Sequence, residues 1–305
     1  MKIGFALPNI GPVATTEAVI AVAQSAEGLG YNSLWTIERF LYPVNPQTPY
    51  PATPDGSLPE EYKHVLDPLE ALTFAAAHTR TITLGTSVLD MPYYNPVLLA
   101  RRLTTLDVLS HGRLRVGLGL GWSRDEMDAA GASMKERGAR ADEFLQVLKT
   151  IWTTDPAEFH GKYFQLPRSF IRPKPVQKPH PPIMLAAFAP PALHRLARLA
   201  DAWNPVGVPV EDMAQMFAGI QQMVKEAGRD PSSLQMIVRG NLAITDKPLH
   251  KERWIFTGTL EQIQGDIEAC SRIGAHELFL DPTFSRGGQS LHHWLELLEE
   301  FRPAK

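Results

Sequence analysis

The sequence predicts an α/β protein of the (β/α)8 TIM-barrel class, with one domain spanning residues 1–305. Three observations predict it. Short apolar runs alternate with longer helical patterns along the whole chain. Several runs are continuously apolar, as expected of parallel strands covered on both faces. The length, 305 residues, suits a barrel of about 250 residues enlarged by insertions. A doubly wound sheet shares the alternation, and strand order is not legible in one sequence.

The first apolar run, Ile3–Leu7, reads as a strand beginning at residue 2 rather than a signal peptide, because no long apolar region or cleavage site follows. A helix over Thr15–Leu29 opens on threonines and ends at Gly28 and Gly30, a stop signal. Ser33–Ile37 is the second strand, and Glu38 and Arg39 follow it. Residues 40–64 hold six prolines and break the rhythm. Asp67-Pro68 and Asn95-Pro96 each place a capping residue before proline at the first helical position. Between them lies Ile82–Val88, the third strand.

Arg113–Leu120 is the fourth strand and runs into Gly117-Leu118-Gly119-Leu120-Gly121. Ser123-Arg124-Asp125-Glu126 fits a capping box, as does Thr259-Leu260-Glu261-Gln262. Residues 153–182 carry seven prolines, with Phe159–Leu166 as a small hairpin. Loops this long inside a domain are usually functional or mobile, and both are read as excursions over the barrel mouth. Ile183–Ala187, Ala202–Val206, Leu234–Ala243 and Glu277–Leu280 complete eight strands, and Leu291–Phe301 is the last helix.

Composition narrows function. Hydrophobic residues at 44% and charged residues at 21% allow a packed core and argue against disorder. A net charge of −3 offers no basic surface to nucleic acid. No apolar run approaches the ~20 residues that span a bilayer, so a cytoplasmic protein is expected, without membrane or nucleic-acid partners. Cys270 is the only cysteine, and the ten histidines show no ligand spacing, so no metal site is expected.

Strand ends in a parallel barrel face its mouth, where sites are built. Glu38 and Arg39 end strand 2, and Arg39 suits an anionic group. Asp90, Tyr93, Tyr94, Trp122, Asp125 and Glu126 crowd the next two strand-end loops. The G-x-G-x-G spacing departs from the dinucleotide G-x-G-x-x-G, so the glycines read as room for a flat ring. Ser123 and Glu126 read most simply as a helix cap. Ala186, Ala187 and Phe188 precede a helix N-terminus that suits a phosphate, although Pro190 and Pro191 remove two donors.

Gly85-Thr86-Ser87-Val88, Pro92-Tyr93-Tyr94-Asn95-Pro96, Leu106-Asp107-Val108-Leu109-Ser110-His111-Gly112-Arg113 and Gly117–Trp122 together resemble the bacterial luciferase-like monooxygenase superfamily. The closest resemblance is to the branch that uses the deazaflavin coenzyme F-420, and it continues through Arg137–Glu143, Pro173-Lys174-Pro175, Pro181-Pro182-Ile183 and Leu199–Trp203. It implies a TIM barrel with a flavin or deazaflavin at its mouth, backed by a non-prolyl cis peptide at Ser87-Val88. It places the cofactor phosphate toward Ala186–Ala189. The expected cofactor contacts are Ser87, Val88, Asp90, Gly121, Trp122, Asp125, Ala186, Ala187 and Phe188.

Two departures matter. Sugar-phosphate dehydrogenases of that branch carry a catalytic histidine where Arg39 stands and a catalytic glutamate where Trp122 stands. Without that acid–base pair, reduction of a polarised double bond, or a monooxygenase reaction, is favoured over alcohol oxidation. Glu38, Arg39 and Tyr93 are the expected catalytic residues, with Glu38, Tyr93 and His64 as proton donors. The expected function is hydride transfer between coenzyme F-420 and a small-molecule substrate, in a homodimer. An FMN-dependent monooxygenase and a catalytically silent flavin-binding barrel are the alternatives.

Overall fold

The computed structural model describes residues 1–53, 55–250 and 252–303. Eight strands form its barrel: β1 Lys2–Ala6, β2 Ser33–Thr36, β3 Thr83–Thr86, β4 Leu114–Gly119, β5 Ile183–Leu185, β6 Ala202–Trp203, β7 Gln235–Asn241 and β8 Glu277–Asp281. Each is parallel to its neighbours, and β8 pairs back onto β1, which closes the sheet. The register pairs Phe5 with Leu34, Leu34 with Leu84 and Leu84 with Leu114. It continues through Val116 with Ile183, Met184 with Ala202, Trp203 with Met236 and Val238 with Leu278. The doubly wound alternative is thereby excluded.

The helices cover the outside: α1 Thr16–Leu29, α2 Pro68–His78, α3 Pro96–Leu109, α4 Arg124–Ala129, α5 Arg137–Thr153, α6 Pro190–Leu199, α7 Val210–Glu226, α8 Leu260–Arg272 and α9 Leu291–Glu300. The predicted caps form. Thr15 accepts from Ala18 N, Asp67 from Leu69 N and Asn95 from Val97 N. Gly30 ends α1 at φ +87°, a conformation that favours glycine. The Thr259–Gln262 box closes from both sides.

Trp35, Met184, Ala202, Ile237 and Phe279 fill the barrel interior, with Trp35 stacked on Phe279 at 4.8 Å between centroids. Gly85 makes this possible, because a Cβ there would strike the Trp35 ring. Below them the buried Glu277 accepts from Ser33, Asn32 and Trp35 and pairs with Arg115 at 3.2 Å.

The Leu106–Arg113 block, a strong part of the family signal, builds the barrel floor. Asp107 is fully buried and accepts from Val176 N at 2.6 Å and the Gln177 side chain at 2.7 Å. Arg113 bonds Thr79 Oγ1 and the carbonyls of Ile82 and Ala76. These contacts divide residues 153–182. The hairpin, Ala157–His160 with Gln165–Ser169, packs on α5, whose Glu143 accepts from Lys162, Tyr163 and Phe164 N. Its tip reaches the mouth side, where Phe164 lines a cavity with Met91, Pro92 and Tyr94 of the loop after β3. Val176 and Gln177 then return to the floor at Asp107. Among the described residues, no helix is long and apolar enough to cross a membrane.

Candidate active site

Asn9, just beyond β1, fixes the end of β2. Its amide donates to Ile37 O at 2.8 Å and Leu66 O at 3.0 Å, and its carbonyl accepts from Ile37 N at 3.1 Å. Glu38 and Arg39 are thereby held at the mouth. One Glu38 oxygen accepts from Asp90 N at 2.6 Å and the other from the Tyr94 hydroxyl. Asp90 in turn accepts from Gly121 N at 2.8 Å. The ends of β2, β3 and β4 are thus joined through two carboxyl groups.

Glu126 is the centre of the cluster. It is 1% exposed, and one oxygen accepts from Phe40 N at 2.7 Å and Leu41 N at 3.3 Å. The other accepts from Tyr93 Oη at 3.1 Å and pairs with Arg39 at 3.0 Å. The capping box expected at Ser123–Glu126 is therefore half formed. Ser123 Oγ accepts from Glu126 N, but the Glu126 carboxylate reaches the segment after β2 instead of its own cap. Two unpaired amides and a guanidinium offer it more than one cap amide would.

Burial, then the charge of Asp90, pushes the Glu38 carboxyl up to about 8. Burial, then the charge of Glu126, pushes Asp90 up to about 7, with Arg39 opposing. Tyr93 and Tyr94 are driven far above the usual phenol range by burial and then by Asp90 and Glu38 respectively, so both remain hydrogen-bond donors. The Arg39 guanidinium pairs with Glu126 and opposes the rise at Asp90, while Glu38, whose charged neighbours are acids, is the one held protonated furthest above its ordinary range.

The Ser87–Val88 peptide bond is cis, as the resemblance implies. Ser87 N donates to Thr36 O at 2.8 Å, and Ser87 Oγ donates to Asn204 Oδ1 at 2.8 Å. Asn204 donates to Ile237 O. Arg239 Nη1 donates to Ser87 O at 2.9 Å, while its Nη2 pairs with the buried Asp281 at 2.7 Å. Residues from β2, β7, β8 and the loop after β6 converge on one dipeptide. Asn204, Arg239 and Asp281 escape sequence reading, since each is a lone polar residue at an apolar strand end and carries no motif.

Several expected contact residues also have partners within the chain. The glycines of β4 make room for the chain itself. A Cβ at Gly117 would strike the Thr86 carbonyl, at Gly119 it would strike Val88 and Asp90, and at Gly121, where φ is +67°, Met127 and Tyr93. Trp122 stacks on the Arg39 guanidinium, 4.9 Å from ring centroid to Cζ. Asp125 accepts from Gln47 N at 3.0 Å and so clamps the segment after β2. His64 is exposed.

At the expected phosphate cradle, the amides of Ala187 and Phe188 carry no hydrogen bond among the described residues. Ala186 N is spent on Leu118 O. Pro190 and Pro191 open α6 without N–H groups, and the next two amides, Ala192 and Leu193, both donate to Ala189 O. The helix end keeps no free first-turn donor. Residues 40–53 and 55–64 do cover the mouth, where Tyr50 and Tyr62 pack with Trp122 and Phe284.

The match to the luciferase-like monooxygenase family covers residues 1–296. The chain belongs to that family. It is 34% identical to an uncharacterized protein of Mycobacterium tuberculosis over 249 residues, 80% of this chain and 86% of that one. Two solved structures share its fold. A monooxygenase of Streptomyces bottropensis aligns at TM-score 0.81 and 21% identity, covering 99% of this chain and 98% of that one. An F420-dependent secondary alcohol dehydrogenase, solved with an F420–acetone adduct, aligns at TM-score 0.79 and 18% identity, covering 98% and 97%. In this family member the polar cluster at the mouth is built from Glu38, Asp90, Tyr93 and Glu126 around Arg39.

Proposed function

We propose that this protein is an F-420-dependent reductase, an enzyme that completes hydride transfer to a small organic acceptor by giving a proton from Glu38. The carrying observation is Glu38 itself. It is a carboxyl group held protonated near neutral pH, bonded to the backbone of Asp90 at 2.6 Å, three residues from Ser87. A donor of that kind suits reduction, whereas oxidation of an alcohol needs a base that is ionised at the start.

The residues present fit a flat ring. The Ser87–Val88 dipeptide is fixed by bonds from Asn204, Arg239 and the β2 backbone, so it offers a rigid surface. Reduced deazaflavin held there supplies a hydride. The chain's own residues do the rest. Arg39 balances Glu126, Tyr93 holds its second oxygen, and the Tyr50–Tyr62–Trp122 cover excludes water.

The test is turnover of reduced F-420 with a panel of ketones and enones. Glu38→Gln keeps the shape but has no proton to give, and a lost general acid lowers the rate by about 10²–10⁴-fold. The wild-type rate is expected to fall as pH rises through about 8. A rate unchanged in the variant and flat across that range would rule Glu38 out as the donor.

A further inference from the structure

The barrel interior is not filled down to its floor. On the side of β2 and β8, Trp35, Phe279 and the buried Glu277 occupy it. Across the barrel, β5, β6 and β7 begin at Ile183, Ala202 and Gln235, and Ala202 is the smallest side chain of the interior layer. A cavity of about 230 Å³ remains on that side. It opens between residues 178–182, which lead into β5, and Ser233, which leads into β7. Its inner wall is apolar and includes Met184 and Ile237.

Two cations line this cavity. Arg115 Nη1 donates to Glu277 Oε2 at 3.2 Å, and the guanidinium meets no other acceptor among the described residues. The Arg115 side chain is 17% exposed, and the cavity is the space it borders. Lys178 stands exposed at the rim, where its Nζ donates to Pro175 O at 3.0 Å.

The charge balance selects the ligand. Arg115 is balanced by Glu277. The one acid lining the cavity, Asp201, accepts from Ile183 N at 2.8 Å and stands 3.8 Å from Arg229. Lys178 pairs with no carboxylate among the described residues. One positive charge is therefore in excess, and a single negative charge balances it. The guanidinium fork suits a carboxylate, and the inner wall suits an apolar body. Drug-sized ligands occupy pockets of about 300–1,000 Å³, so a cavity of 230 Å³ takes a smaller molecule.

We propose that the floor cavity is a second binding site, which takes a small monocarboxylate with an apolar body. The carboxylate lies between Arg115 and Lys178, and the body lies on Met184 and Ile237. Reacting groups of a parallel barrel gather at its mouth, so an acid bound at the floor is not the reactant. The site does not depend on which cofactor the mouth holds.

Binding is measured by calorimetric titration of the purified chain with benzoate and with benzamide, its neutral counterpart. Lys178→Met removes the ammonium from an exposed position and keeps the stem. Ala202→Val narrows the cavity from its inner wall, with folding checked by thermal melting. Wild type is expected to bind benzoate with a Kd of about 1 mM or tighter, and benzamide about tenfold more weakly. Lys178→Met should weaken benzoate by about tenfold, as the loss of a charge-assisted hydrogen bond implies, and leave benzamide unchanged. Ala202→Val should weaken both. Added F-420 should leave benzoate affinity as it was.

No benzoate binding to wild type, or equal benzoate affinity in Lys178→Met, would overturn the proposal. Competition between benzoate and F-420 would place the acid at the mouth and overturn it as well.

Discussion

Glu38 ties the chemistry of the site to the stability of the fold. Its carboxyl titrates near 8 in the folded chain against an ordinary 4.5. The folded state therefore holds a proton that the unfolded state loses first. The associated stability is complete below about pH 4.5 and is lost as pH rises through about 8. Glu38→Gln never ionises, so the variant should lose about 1–3 kcal/mol less than wild type between pH 5 and 9 in urea unfolding. A parallel pH dependence in the two proteins would show that Glu38 is ionised throughout. Glu126 shows why single residues mislead. Ser-x-x-Glu is a cap by local spacing, and Ser123 does cap α4. The carboxylate itself crosses to amides 86 and 85 positions away, a partner choice that only closure of the barrel creates.

At the scale of elements, local signals were legible and meeting points were not. Caps at Thr15, Asp67, Asn95 and Thr259 depend on a few consecutive residues, so spacing reveals them. The run Ile82–Val88 reads as one strand, yet β3 stops at Thr86. Leu89–Asp90 then pairs afresh with Leu118–Gly119 across the cis peptide. The glycines of β4 serve that junction. Gly117→Ala should destabilise the fold by about 3 kcal/mol or more, since the new methyl group meets the Thr86 backbone and nothing flexible can yield. Gly28→Ala in α1 meets no atom within 4 Å and should stabilise by about 0.5–1 kcal/mol. Chemical denaturation of both variants checks the contrast, and a mild Gly117→Ala would mean that β3 and β4 are not packed as described.

For the molecule as a whole, the eightfold alternation made the barrel readable before any coordinates. The site was readable only in part. Glu38, Arg39, Asp90 and Tyr93 sit together as their strand-end positions suggest. Asn9, Asn204, Arg239 and Asp281 come from other strand ends and join them only because β8 pairs with β1. The long proline-rich stretches differ for the same reason. The one after β2 leaves from the mouth and covers it, and the one after α5 leaves from the floor, climbs α5 as far as Phe164 and returns to the floor at Gln177.

The central claim is that this mouth binds coenzyme F-420 against Ser87–Val88. Titrating the purified chain with F-420 and, separately, with FMN tests it most directly. The expected result is saturable F-420 binding with a Kd of about 10 µM or tighter, and FMN binding weaker by about tenfold or more. FMN binding tighter than F-420, or no binding of either, would contradict it.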